Sequence, residues 1–226
     1  MVSFLSKLVN FVIYTTNKHN IDESHSLGHS LDVLNFANQI YDHESKKHPY
    51  LEKHKKIIYV SAMVHDMCDR KYVDEYTGLN DIQEFLKHCA NDTLFTGGQP
   101  SVDVLDKNEI DIVSKIITQM SYSKVKKSGY PDLGEYQLAY HIVREADLLS
   151  AYDFDRCMMY IMHKYRGTAE NSFQNAYDLF QARMLQHNID GLFVTDYSKK
   201  LSLQLHEQSL IRMESWKRIM NLRTNT

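Results

Sequence analysis

Apolar positions along this chain recur at three- and four-residue steps, and no convincing run of strand-like alternation appears. Leu5, Leu8, Val9 and Val12 share one face of a helix predicted over Phe4–Tyr14. His29, Val33, Phe36, Ala37 and Ile40 do so over Leu27–Tyr41, with Asp22 or Ser24 ahead as a cap. Ile57, Ile58, Ala62 and Met63 make a third stripe over Leu51–Asp66, which ends on His65 and Asp66. Further helices are predicted at Asp81–Ala90, Asn108–Met120, Leu138–Met162, Phe173–Gln186 and Tyr197–Leu222. Two stretches interrupt the pattern: Asn91–Pro100 with its TGGQP, and Ser121–Tyr136, which mixes lysine, aromatic residues, Gly and Pro. Helices of the same character resume after each, so neither marks a domain boundary. The expectation is one all-α domain over residues 1–226.

Composition supports helices. The 226 residues include only 8 glycines and 3 prolines. The net charge is −3, from 26 Lys and Arg against 29 Asp and Glu, so a general nucleic-acid binder is not indicated. Three cysteines without a C-x-x-C disfavour a disulfide framework or zinc finger and suit a reducing, cytoplasmic setting. The N-terminal FLSKLVNFVIYTT is interrupted by Lys7 and Asn10 and is too short to span a bilayer, so no membrane association is expected. Signatures of P-loop, dinucleotide-binding and serine-hydrolase sites are absent.

Candidate chemistry arises where polar groups fall on apolar stripes. His29 sits with Val33 and Ala37, His65 and Asp66 close the third stripe, and Asp147 lies between Val143 and Ala151. A carboxylate on a buried face costs several kcal/mol unless something compensates it. Taken singly, His29 reads as well as a core imidazole, and Asp147 as a partner of Arg144 or His141. Together, two imidazoles and two carboxylates can surround one divalent cation.

The order His29, His65-Asp66, Asp147 resembles the H…HD…D pattern of the HD superfamily of metal-dependent phosphohydrolases, most closely its stand-alone hydrolase branch. That branch opens with D-x-x-H-D-x-x-H-x-x-R-V and later has D-A-D-R-L-D; this chain has DESHSLGHSLDV from Asp22 and EADLLS from Glu145. The likeness covers about residues 20–165, with helices over about 173–222 packed on that core. It implies an HD-type helical bundle with His29, His65, Asp66 and Asp147 as metal ligands, and Asp69, His25 and Lys71 as catalytic helpers. Ser26, Asp32, Leu148 and Ser150 depart from the pattern beside the ligands while the ligands themselves are intact.

The resemblance implies one divalent ion (Mn, Fe, Co, Ni, Zn or Mg) and hydrolysis of a phosphate ester or anhydride of a nucleotide or similar small molecule. The alternative is an inactive HD domain that binds metal and nucleotide as a sensor. A second metal would draw on His88 or His141, whose spacing does not argue for it. Arg70, Lys71, Lys124, Lys126 and Lys127 are candidate phosphate contacts, and Tyr122 and Tyr130 candidate base-stacking rings. Cys68 and the run Cys157, Met158, Met159, Met162 are expected in the core, and Asp153 and Asp155 at the surface.

Overall fold

A computed structural model describes residues 3–91 and 104–220 of the chain. Every regular element among them is helical. None of these helices is long and apolar enough to cross a membrane.

Helix α1 (Phe4–His19) starts where the Ser3 side chain accepts from the Ser6 N–H and stops at Asn20, whose φ of 51° is left-handed. Asp22 caps a 3-10 turn over Glu23–His25 through the Ser24 N–H, rather than capping the helix that follows. That helix, α2 (Leu27–Glu44), begins at Ser26 with no side-chain cap and buries His29, Val33, Ala37, Ile40 and Tyr41. A 3-10 turn over Pro49–His54 leads into α3 (Lys55–Val64), so the predicted third helix is shorter at both ends. The HD dyad lies in the turn after α3.

Helices α4 (Glu75–Asn91) and α5 (Lys107–Gln119) follow; α5 opens with a reciprocal capping box between Asp106 and Glu109. Most of the break expected at Asn91–Pro100 lies outside the described residues. The loop expected at Ser121–Tyr136 contains a helix, α6 (Tyr122–Ser128), capped by Ser121 and ended by Gly129 at φ 74°.

The long helix predicted over Leu138–Met162 is two helices. Helix α7 (Gln137–Ser150) ends at Ala151, and α8 (Phe154–Tyr165) restarts where Asp153 accepts from the N–H groups of Asp155 and Arg156. An aspartate that caps a new helix competes with continuing the old one, and apolar periodicity does not register this. Helices α9 (Ala169–Ala182) and α10 (Asp196–Ile219) start from Thr168 and Thr195 caps.

Buried apolar residues form two clusters. The larger joins α1 to α7 with Leu192 and Phe193, and has α2, α3 and α7 at its centre. Leu8 and Val12 of α1 belong to it, so it begins before residue 20. The smaller joins α8, α9 and the distal part of α10 around Phe154, Phe173, Phe180 and Met213. Cys157 and Met158 are in this cluster, but Met159 and Met162 are exposed, so half of the methionine run faces outward. Asp155 is held by Arg212 and by the Trp216 indole N–H at 2.6 Å, which ties α8 to α10.

Candidate metal centre

Three elements of the larger cluster bring the polar groups together. His29 projects from the first turn of α2, His65 and Asp66 from the turn after α3, and Asp147 from the last turn of α7. Backbone bonds from Met67 to Val64 and from Asp69 to Asp66, at 3.0 and 3.1 Å, hold the dyad's turn tight. Gly78 of α4 packs directly on it: a Cβ there would stand 2.8 Å from the Cα of Cys68 and the carbonyl oxygen of Met67.

The donor atoms converge. Nε2 of His29 and Nε2 of His65 are 3.0 Å apart. Asp66 Oδ2 lies 3.2 and 3.3 Å from them, and Asp147 Oδ1 3.4 and 3.7 Å. Donors on adjacent corners around an ion, with bonds of about 2.1 Å, stand about 3.0 Å apart. His29, His65 and Asp66 each place a donor within 4.8 Å of the other two and could hold a metal ion. Asp147 reaches both imidazoles and keeps 30% side-chain exposure, so it faces a cleft and not the core. Neither Arg144 nor His141 is its partner. Arg144 pairs with Glu145, whose carboxylate also accepts from the Val194 N–H and the Thr195 hydroxyl.

Two observations fit a cation here. Asp66 Oδ2 is buried and makes no well-aligned hydrogen bond, meeting only the two imidazole nitrogens. The charges are also out of balance. Burial alone would lower the His65 imidazole, yet Asp66 and Asp147 outweigh it and push it up to about 9. Burial works to raise both carboxyls, but the imidazoles hold them well below the usual carboxylate range. His65 Nδ1–H donates to the Ala62 carbonyl at 2.9 Å, which aims its Nε2 at the meeting point.

The site is at the floor of a cleft of about 1010 Å³ between the two clusters. His25, Asp69 and Lys71 all line it, as does Arg70. His25 is well oriented: its Nδ1 faces the hydroxyls of Ser24 at 2.7 Å and Tyr72 at 3.1 Å, and both hydroxyls donate to Asp22. Its Nε2 accepts from Lys71 Nζ at 3.2 Å. Lys71 also pairs with Asp69 at 3.2 Å.

The other candidates divide. Lys127 and Tyr122 line the cleft, and Lys124 does so while bound to Glu75 at 2.8 Å. Lys126 is held by Asp190 at 2.9 Å and is not part of the lining. Tyr130 packs on His141 with Arg144 over its ring, so it is not a stacking platform in the cleft. Cys68 is buried and its thiol is pushed up to about 12, chiefly by burial, which rules against a nucleophile. His88 and His141 do not line the cleft.

Sequence reading missed Arg156, Lys164, Arg183 and His187, which line the opposite wall. Their only signal was position after Asp147, and it has meaning only once the break at 151–153 redirects α8. His187 is buried with neither ring nitrogen bonded, and burial pushes it down to about 4. Comparison of the chain with family models, curated proteins and solved structures finds no match.

Proposed function

We propose that this protein is a metal-dependent phosphohydrolase acting on a phosphate ester or anhydride of a nucleotide or similar small molecule. The observation that carries the reading is the pairing of floor and wall. Two imidazoles and two carboxylates converge at the floor, and cations without carboxylate partners face them across the cleft. His29, His65, Asp66 and Asp147 would hold one divalent ion, which supplies a Lewis acid for a phosphoryl oxygen and an acidified water. Mixed nitrogen and oxygen donors suit Mn, Fe, Co, Ni or Zn better than Mg.

The chain's own groups do the rest. His25 is the proton carrier, with its ring fixed by Ser24 and Tyr72 and its Nε2 turned to the cleft. Lys71 donates to that nitrogen and stands where it can meet substrate oxygen. Asp69 positions Lys71 through its backbone N–H at 2.9 Å and its ammonium. Lys127, Arg156, Lys164 and Arg183 offer positive charge to phosphate.

The test is a phosphatase screen with added manganese, cobalt or nickel on the wild type beside Asp66→Ala, with metal content measured in both. The variant should lose its metal and more than about 100-fold in rate, the loss seen even for outer partners of metal ligands. Equal activity in the two proteins refutes the site. A wild type that takes up no metal refutes the reading.

A further inference from the structure

Three cations lining the cleft are engaged by carboxylates: Arg70 and Lys124 by Glu75, and Lys71 by Asp69. Arg156, on α8, is engaged differently. Its Nη1 lies 3.0 Å from the Ser24 carbonyl oxygen and 3.0 Å from Nδ1 of His29. A guanidinium has donors and no acceptor. Nδ1 therefore turns its lone pair to Arg156, which in the neutral ring leaves the hydrogen to Nε2, beside Asp66 Oδ2 at 3.2 Å and Asp147 Oδ1 at 3.4 Å.

A histidine that binds metal through Nε2 needs the reverse: hydrogen on Nδ1, with an acceptor beside it. That acceptor is in place. Ser150 Oγ lies 3.5 Å from Nδ1, and it donates its own hydrogen to the Asp147 carbonyl at 2.7 Å, so its lone pairs are free. Two groups thus compete for one nitrogen. Arg156 goes with the metal-free ring, and Ser150 with the metal-bound ring.

We propose that Arg156 is the anion-binding residue of the cleft, and that divalent metal and a phosphate-bearing anion bind cooperatively through it. Metal at Nε2 turns Nδ1 of His29 to Ser150 and releases the guanidinium into the cleft. There it shares a wall with Lys164 and Arg183. Linkage makes the effect reciprocal: an anion that draws Arg156 away favours the metal-ready ring by the same factor, typically 5–150-fold. The proposal rests on the metal site described above.

The test uses inorganic phosphate and manganese without turnover. Manganese is titrated calorimetrically into metal-free wild type and Arg156→Met, with and without phosphate. Nitrogen NMR of the metal-free proteins reads which His29 nitrogen carries hydrogen. In wild type, His29 should carry it on Nε2, and phosphate should tighten manganese binding about 5-fold or more. In Arg156→Met the hydrogen should move to Nδ1, manganese alone should bind tighter than to wild type, and most of the phosphate effect should vanish. Arg156→Leu, which also lacks a donor, serves the same comparison. Unchanged manganese affinity, or an equal phosphate effect in wild type and variants, overturns the proposal. Tighter manganese with an unmoved His29 hydrogen also overturns it, since Arg156 would then be only a repelling charge. A wild type that binds manganese without any phosphate effect sinks this inference and leaves the metal site standing. A wild type that binds no manganese sinks both.

Discussion

The donors at the floor of the cleft come from α2, the end of α3 and α7, which pack on one another in the larger cluster; the cations of the opposite wall come from α8 and the end of α9, in the smaller one. The floor is over-determined. His65 is tied to the Ala62 carbonyl, and Glu145, two residues before Asp147, is locked into the chain at 194–195. The wall is looser. Arg156 rests on a backbone carbonyl and an imidazole, and Lys164 and Arg183 lie against tyrosine rings. A metal site needs donors held within a fraction of an ångström, whereas a substrate site has to release its product. Under the proposed function, the two halves of the cleft would divide along that line.

If the proposed ion is bound, the strongest way to break this comparison is to remove it. An ion that binds only the folded chain stabilises it by RT ln(1 + [L]/Kd), about 2.7 kcal/mol at a hundredfold excess over Kd. For a chain of this size that corresponds to roughly 5–10 °C in Tm. Chelated protein, with metal loss verified, should melt lower by that amount. An unchanged Tm would mean that the floor is a self-sufficient polar cluster and that the contrast with the wall has no metal behind it.

The floor was legible in the sequence and the wall was not, for a physical reason. His29 and Asp147 sit on apolar stripes, where a polar side chain needs a justification, so pattern alone exposes them. Arg156 and Arg183 sit on polar faces, where a cation needs none. What gives them meaning is tertiary: Asp153 starts a new helix and swings α8 over the floor. Periodicity across Leu138–Met162 is continuous, because a cap changes the backbone path without disturbing the hydrophobic spacing. Helix α6 was missed in the same way, since lysines and a closing glycine read as loop while its Ser121 cap begins a helix. His25 was read as a helper from its motif, but its Tyr72 partner, 47 residues away, was beyond any local signal.

Acid should weaken the floor before the wall. With no ion present, Asp66 and Asp147 push His65 up to about 9, and that proton must leave before Nε2 can bind metal. The group is raised in the metal-free protein, so metal affinity should climb as pH rises towards about 9 and level off above it. One proton gives a slope of about tenfold per pH unit. Manganese titrations at pH 6, 7, 8 and 9 measure it. A flat profile would show that His65 is already unprotonated and that the two carboxylates are neutralised by something other than this ring.

The smallest expected effect isolates the wall. Asp155 binds Arg212 through two oxygens and accepts from Trp216, so it anchors α8 on α10 without approaching the metal donors. The ion pair is about half exposed, with side chains 48% and 38% accessible, which limits its worth to about 1 kcal/mol or less. Asp155→Asn should therefore lower Tm by only about 2–4 °C. Manganese affinity should stay at the wild-type value, because α2, α3 and α7 do not depend on that anchor. Any functional change should appear as weaker phosphate binding, since Arg156 is the next residue along α8. A loss of manganese affinity equal to the loss of phosphate affinity would show floor and wall moving as one body, and the division drawn between them would fail.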